Sequence, residues 1–189
     1  GYHIGPLYKK MGWKASDTRP LTFEDCLVPE GYILGQRGDG FKQFMQILDG
    51  GRVAIAALSV GLAQACLDEA LSYARQRKQF GQPISRFQAI QFKLADMEME
   101  IEVARTMYYK AAWLQMQGKP YSREASIAKL FASEVSKRAA DQAVQIHGGY
   151  GFMDEYPVSR YWRNVKANEI GEGTSEVQRM VIAKHLGCS

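Results

Sequence analysis

The chain has 189 residues, of which 46% are hydrophobic and 23% charged, enough to bury the core of one domain, with or without an appendage. Its formal charge of +4 comes from acidic and basic residues interleaved along the chain, so a nucleic-acid partner is not expected. Three widely spaced cysteines without a CxxC pair favour a reducing compartment over a disulfide framework. The start, with neither an initiator methionine nor a cationic leader, suggests a fragment or a processed product.

Residues 1 to about 37 carry proline and glycine breakers around short extended stretches. Leu21 to Phe23 is the clearest β-like stretch, and Cys26 to Val28 is a weaker one. A strand must pair with another strand, and no partner strand is evident in this chain. We therefore expect residues 1–37 to form a short β/irregular segment ending in a linker, and residues 38–189 to form a separate helical domain.

Beyond this segment, apolar residues recur at helical spacing in four successive stretches. The predicted helices cover about residues 40–80, 85–117, 122–148 and 175–186. Gly50 and Gly51 could make the first helix irregular, and Ser85 to Gln88 has the spacing of a capping box at the start of the second. Long amphipathic helices joined by short turns predict an all-α fold, an antiparallel four-helix bundle.

The stretch from Gly148 to Gly173 is predicted to be the least regular part of the bundle, and irregular backbone on a rigid scaffold is where sites tend to lie. The apolar stretch from Ile47 to Ala74 is interrupted by charged residues, so no membrane span is expected.

A bundle can hold a di-iron centre when glutamates and Glu-x-x-His motifs face one another. No Glu-x-x-His occurs here, and Glu98, Glu100 and Glu102 would fan around a helix instead of converging. No Gly-x-Ser-x-Gly nucleophile elbow occurs either. Neither a metal site nor an acyl-enzyme is therefore expected.

Gly171 to Ser175 places Glu172 between two glycines, just before a helix that Thr174 or Ser175 can cap. The glycines let backbone or ligand approach the carboxylate closely. The free N–H groups of the following helix are suited to a phosphate. By itself the motif fits an exposed loop with a solvated glutamate equally well.

Two other segments also have ordinary structural explanations when taken singly. Arg75 to Gly81 ends the first helix with cations that could balance the macrodipole, and Gln145 to Phe152 ends the third with glycines typical of a C-cap. Together with Phe87 to Ile90 and Glu172 to Arg179, however, they resemble, in order and approximate spacing, the motifs of the acyl-CoA dehydrogenase family. Residues 11–18 and 23–29 resemble the end of that family's middle β-domain, so the resemblance covers nearly the whole chain.

The resemblance implies a flavoprotein in which FAD lies between the β-domain and the bundle, with its adenosine diphosphate end reaching a second subunit. Arg77 would meet the pyrophosphate, to which a guanidinium is suited. The other implied cofactor residues are Phe80 and Gln88 near the pyrophosphate, Gln145, Gly148 and Gly149 at the adenosine end, and Thr174 and Glu176 on the cofactor of their own subunit.

Glu172 matches the family's catalytic base, which removes the α-proton of an acyl-CoA thioester while the β-hydride passes to the flavin, giving a trans-2-enoyl-CoA. Closure over an apolar acyl chain should strengthen this base. Some members carry the base on the first long helix, at the position of Gly51, which cannot serve here. Asp49 and Arg52 match positions lining the CoA tunnel, and Gly173 matches a position next to the substrate.

Gly171 departs from the aromatic residue that many members carry before the catalytic glutamate, so we expect an acyl pocket that tolerates branched or bulkier chains. The resemblance also implies a homodimer or homotetramer, an electron-transferring flavoprotein as acceptor, and a role in fatty acid or branched-chain amino acid catabolism. The expected location is a bacterial cytoplasm or the mitochondrial matrix. Two alternatives stay open: a non-catalytic oligomerisation or interaction bundle, and an acyl-CoA oxidase.

Overall fold

The computed structural model of the chain describes residues 1–188. Its strands and helices, in chain order, are β1 (Tyr2–Ile4), β2 (Leu21–Phe23), α1 (Gly40–Gln76), β3 (Lys78–Gln79), β4 (Gln82–Pro83), α2 (Gln88–Met116), α3 (Ser122–His147), α4 (Pro157–Ile170) and α5 (Ser175–His185). Short 3-10 turns cover Glu30–Tyr32, Ile84–Arg86 and Gly148–Phe152. The predominance of helix confirms the all-α fold class.

Contacts at both ends of α1 and α3 show that these two helices run parallel to each other. The hydroxyl of Ser122, at the start of α3, donates a hydrogen bond at 2.9 Å to Asp49, in the first third of α1. Near their last turns, the ring of His147 stacks on Tyr73 with the ring centroids 4.3 Å apart. The ends of α1 and α3 therefore form two separate regions, one at each end of the bundle.

The helix α2 runs antiparallel to α3. Lys93, near the start of α2, donates a hydrogen bond to Gln142 near the end of α3. Further along α2, Glu100 pairs with Arg138 of α3 at 3.0 Å. Later residues of α2 therefore contact earlier residues of α3.

The helix α4 also runs antiparallel to α3. Tyr156, just before α4, lies 5.8 Å from the ring of His147 at the end of α3. The carbonyl oxygen of Glu169, at the end of α4, accepts a hydrogen bond from Lys129 near the start of α3. The helices α1 to α4 thus alternate in direction and form an antiparallel four-helix bundle. Its fourth helix is α4, whereas the sequence predicted the helix at residues 175–186, which is α5 and packs on α3 as an additional helix.

The stretch that was predicted to be least regular contains α4, so that expectation is wrong. Pro157 occupies the first turn of α4, where its missing N–H removes no hydrogen bond. Val158 and Val165 turn inward and are buried against the bundle. The helix was not predicted because its apolar stripe is short and lies between aromatic and charged residues of the outer face of α4.

Small side chains fill the contact between α1 and α3. Their fully buried residues include Ala56, Ala63, Ala70, Ala74, Ala125, Ala128, Ala132, Ala140 and Ala143. Alanine adds little bulk beyond the backbone, so the two helices can pack closely along their length. Because α3 also contacts α2, α4 and α5, it is the central helix of the fold.

Two expectations about helix ends and irregularities are corrected. The helix α1 is continuous through Gly50 and Gly51. The helix α2 begins at Gln88 after Phe87, and no side chain caps it, so the predicted capping box is wrong. Ser85 is instead part of the 3-10 turn that follows the β3–β4 hairpin, because this turn comes before the helix can begin.

The N-terminal segment contains the strand partner that we expected to be missing. In an antiparallel ladder, Tyr2 lies opposite Phe23 and Ile4 opposite Leu21. The pairing was missed because β1 has only three residues, too few to show an alternating pattern.

The rest of the N-terminal segment docks on α4. The backbone N–H of Trp13 donates to the side-chain oxygen of Asn164 at 2.8 Å, and the indole N–H of Trp13 donates to the Asn164 carbonyl at 3.1 Å. At Gly12 the approach is so close that a Cβ atom would lie 2.4 Å from the carbonyl oxygen of Arg163. The position of Gly12 against α4 therefore requires a glycine.

By length and composition alone, α1 contains an 18-residue window, of mean hydropathy 1.4, that is long and apolar enough to cross a membrane. The structure accounts for this hydropathy because Val53, Val60 and Leu67 of α1 lie in the core of the bundle.

Candidate functional site

Glu172 lies in the turn between α4 and α5 with a φ of 56°, a left-handed conformation that is uncommon for a residue with a side chain. Buried side chains hold this turn. Gln178 donates from Nε2 to the carbonyl oxygens of Glu172 (3.0 Å) and Gly173 (2.9 Å). Lys129 donates to the Gly173 carbonyl at 2.8 Å, and Arg52 to the Glu172 carbonyl at 3.4 Å. Strained backbone persists where its surroundings over-determine it, and these contacts have that effect here.

The carboxylate of Glu172 lies directly over Gly51 of α1. A Cβ atom built at Gly51 would lie 2.5 Å from Oε2 and 2.7 Å from Cδ of Glu172, which is closer than side chains pack. The family resemblance allows a base at either of two positions, Gly51 or Glu172, and the side chains of these two positions would occupy the same space. A side chain at one of them leaves no room for the carboxylate of the other.

Two predicted substrate residues join the same site. Arg52 donates from Nη1 to Asp49 at 2.6 Å, and only 6% of the Arg52 side chain is exposed. Ser122 donates to the same carboxylate oxygen at 2.9 Å. Charge-assisted hydrogen bonds of this kind are short and strong. The structure thus brings Asp49 and Arg52 together with Glu172 and Gly173 at one end of the bundle.

Lys129 was not among the predicted site residues, and neither was Gln178. The Lys129 side chain is fully buried, and its Nζ donates to the carbonyl oxygens of Glu169 at 3.0 Å and Gly173 at 2.8 Å. Burial lowers the pKa of Lys129 to about 8, an effect that the nearby Glu169 carboxylate opposes. The burial of Lys129 could have been predicted from the sequence, because Lys129 lies at helical spacing from Ala125 and Ala132 on the inward face of α3.

A second group of predicted residues surrounds an open cavity of about 830 Å³ at the opposite end of the bundle. Arg77, Gly148 and Gly149 line it, and the Arg77 guanidinium lies 5.9 Å from the ring centroid of Tyr150. No heavy atom lies within 4 Å of a Cβ atom built at either glycine, so their backbone is open to a ligand. A guanidinium, bare backbone and aromatic rings suit the phosphates and base of a nucleotide.

Three further predicted cofactor residues lie outside the lining of this cavity. Phe80, at the tip of the β3–β4 hairpin, is 91% exposed, and its ring lies 6.1 Å from that of Phe87. Gln88, at the start of α2, and Gln145, in the last turn of α3, are also exposed. The structure leaves these side chains at the surface of the same end of the bundle.

The last two predicted cofactor residues begin α5, beside Glu172. The Thr174 hydroxyl accepts a hydrogen bond from the N–H of Val177 at 3.4 Å, so Thr174 is the cap. The pKa of Glu176 is lowered by its own backbone N–H and by the Thr174 hydroxyl. Gly51, next to Glu172, is 26 residues before Arg77 along α1, or about 39 Å at helical rise. The predicted cofactor residues therefore fall into two groups, one at each end of the bundle.

One protein family and several known proteins match this chain. The sequence model of the family described as acyl-CoA dehydrogenase, C-terminal domain, matches residues 38–187. The chain is 59% identical over 186 residues to a Bacillus subtilis protein named probable acyl-CoA dehydrogenase YngJ, covering 98% of this chain and 49% of that protein.

Two solved structures have the same fold. Butyryl-CoA dehydrogenase from Megasphaera elsdenii superposes with a TM-score of 0.97 at 49% identity, over 98% of this chain and 49% of that one. A structure of PigA with FAD and proline superposes with a TM-score of 0.96 at 29% identity, over 100% of this chain and 49% of that one. The chain spans about half the length of the proteins that it matches.

Proposed function

Because the chain belongs to the acyl-CoA dehydrogenase family, we propose that it is the C-terminal part of a FAD-dependent enzyme that introduces a double bond next to the thioester carbonyl of an acyl-CoA. Residues 1–37 would end the middle β-domain, and residues 38–189 would form the helical domain. Glu172 would be the base. The observation that supports this role is the placement of its carboxylate over Gly51, beside the buried pair of Asp49 and Arg52.

The geometry of Glu172 suits proton removal from carbon. Among the hydrogen bonds of residues 1–188, none ends on the carboxylate of Glu172, whereas its backbone carbonyl is held by Gln178 and Arg52. The backbone is therefore fixed while the oxygen atoms stay available for the α-proton. A positioned general base of this kind contributes roughly 10²- to 10⁴-fold in rate.

The residues of the two groups fit FAD. Arg77 with Gly148 and Gly149 would hold the pyrophosphate and adenosine, and Thr174 with Glu176 would contact the part of the cofactor near Glu172. When bound, the flavin would supply the two-electron acceptor for the β-hydrogen. Since the two groups lie at opposite ends of the bundle, we propose a homodimer or homotetramer in which one subunit provides Arg77 and its partner provides Thr174.

For the substrate we propose a short acyl-CoA, because one solved relative is named butyryl-CoA dehydrogenase. For the electron acceptor we propose an electron-transferring flavoprotein, with oxygen as the alternative that would make the enzyme an oxidase. A non-catalytic bundle is the third reading, and it predicts that the full-length protein does not retain FAD. A bacterial cytoplasm or mitochondrial matrix stays a prediction for the location.

The test is anaerobic stopped-flow reduction of the flavin by butyryl-CoA in the full-length protein. Glu172→Gln removes the base while keeping the shape of the side chain, so flavin reduction should slow by roughly 10²- to 10⁴-fold. Glu98→Gln, the same change at an exposed position of α2, is the matched control and should react normally. Reduction at the wild-type rate in Glu172→Gln would remove Glu172 from this role. Reoxidation by the flavoprotein or by oxygen then separates dehydrogenase from oxidase.

A further inference from the structure

We propose that Lys129 is a positioning residue for this reaction: its buried Nζ holds the turn that contains Glu172, with Gln178 as a second holder, so that the carboxylate stays over Gly51. The inference rests on the proposed role of Glu172 as the base. Lys129 donates its hydrogen bonds to backbone carbonyls and not to the Glu172 carboxylate, and its side chain is fully buried, so we assign it a role in holding the backbone of the turn.

The contacts of Lys129 tie the end of α4 to this turn. The carbonyl of Glu169 belongs to the last turn of α4, where carbonyl groups have no partner within the helix. Lys129 Nζ donates to that carbonyl at 3.0 Å and to the carbonyl of Gly173, just after Glu172, at 2.8 Å. A cation at the C-terminus of a helix also interacts favourably with the helix dipole. One side chain from α3 therefore fixes both sides of Glu172.

Gln178 holds the same turn from α5. Its Nε2 donates to the carbonyl of Gly173, which Lys129 also holds, and to the carbonyl of Glu172. Gln178 is fully buried like Lys129. The turn is therefore fastened to α3 by one side chain and to α5 by the other.

The charged groups around Lys129 come from each surrounding element. Arg52 of α1, Glu169 of α4, Glu172 of the turn and Glu176 of α5 all influence the Lys129 ammonium. Three of these four are carboxylates, which favour the charged form, whereas burial disfavours it. Lys129 can keep both hydrogen bonds in either form, because an amine still has two N–H groups for the two carbonyls. The proposal therefore concerns the hydrogen bonds and not the charge.

The effect on the reaction follows from the strain at Glu172. Its left-handed φ of 56° is unfavourable without the contacts that hold the turn. Without Lys129, the Glu169 carbonyl loses its side-chain donor and the Gly173 carbonyl keeps only that of Gln178. The turn can then relax toward a negative φ, and the Glu172 carboxylate moves away from Gly51. A misplacement of about 1 Å in a reacting group can cost roughly 10²-fold in rate.

The experiment uses the full-length, FAD-loaded enzyme and measures single-turnover flavin reduction together with the acyl-CoA concentration at half-maximal rate. Lys129→Met keeps an unbranched side chain of nearly the same length and removes its donors. We expect reduction to slow by roughly 10- to 100-fold with the half-maximal concentration little changed. Ser136→Ala removes a buried hydrogen bond of α3 to the carbonyl of Ser133, away from the turn, and should leave the rate unchanged.

A double-mutant cycle separates positioning from general damage. If Lys129 acts through Glu172, adding Lys129→Met to Glu172→Gln should slow the reaction no further, because the base that Lys129 positions is already gone. If Lys129→Met instead slowed the reaction through a general structural defect, the rate reductions of the two single variants would multiply in the double variant. If Lys129→Met does not fold, the same cycle with Gln178→Met decides the proposal in the same way.

The outcomes distinguish the two claims. Normal reduction in Glu172→Gln would overturn the proposed function itself. Slow reduction in Glu172→Gln with a wild-type rate in Lys129→Met would overturn only the positioning role. Losses that multiply in the double variant would overturn the positioning role as well.

Discussion

One methyl group added at Gly51 is expected to slow the proposed reaction without destabilising the helix that carries it. In Gly51→Ala the new Cβ would lie 2.5 Å from Oε2 of Glu172, so the carboxylate must move by about 1 Å to reach an ordinary van der Waals distance. A shift of that size in a catalytic group can cost roughly 10²-fold in rate.

The same substitution should stabilise α1. Gly51 lies in the interior of this helix, where replacing glycine by alanine contributes about 1 kcal/mol in helix propensity. Gly61→Ala is the matched control, because Gly61 lies in the same helix and no heavy atom lies within 4 Å of a Cβ built there. It should bring the same stabilisation with no loss of activity.

Anaerobic stopped-flow flavin reduction and thermal unfolding of the full-length variants would measure both effects. The expected result is slow reduction in Gly51→Ala alone, with melting temperatures in both variants at or above that of the wild type. Equal reduction rates in Gly51→Ala and Gly61→Ala would refute the claim that the position of the Glu172 carboxylate over Gly51 matters for the reaction.

Two further predictions concern Lys129 and Gly171. The folded-state pKa of Lys129 is lowered from 10.5 to about 8 by burial, so between these pH values the unfolded chain holds a proton that the folded chain has lost, and the free energy of unfolding should rise with pH in this window. Urea unfolding measures this as the difference in free energy of unfolding between the wild type and Lys129→Met. That difference should change in favour of the wild type by about 3 kcal/mol between pH 8 and pH 10.5. A difference that does not vary with pH would contradict the prediction. Gly171→Tyr should be tolerated, because a Cβ at this exposed position meets only the carbonyl of Ala167 at 3.3 Å. It should lower kcat/KM for branched relative to straight acyl-CoA substrates, and an unchanged ratio would show that Gly171 does not shape the acyl pocket.

Most of the fold could be predicted from periodicity, whereas its shortest elements could not. The helices α1, α2, α3 and α5 each show apolar residues at helical spacing over several turns. The helix α4 was missed because Val158 and Val165 are separated by polar and aromatic residues of its outer face. The strand β1 and the start of α2 were missed because three-residue strands and turns are determined by what they pack against.

The residues of the candidate site likewise include some that the sequence could predict and some that it could not. Glu172, Thr174 and Arg77 belong to short motifs, and a motif can be recognised without knowing what surrounds it. Lys129 was missed because it belongs to no such motif and is distinguished only by lying on the inward face of α3. Its partner Gln178 lies inside a quoted motif, but its hydrogen bonds to the turn depend on tertiary contacts.

Periodicity and motifs are local properties of a chain, so they are enough to indicate a helical bundle, a member of the acyl-CoA dehydrogenase family, and Glu172 as the candidate base. The position of the Glu172 carboxylate depends instead on how distant parts of the chain pack together. Gly51 and Glu172 are 121 residues apart in the sequence, and their contact depends on α1, α3 and α5 packing side by side. The same packing placed Lys129 and Gln178 around the turn and put the Arg77 cavity at the far end of the bundle.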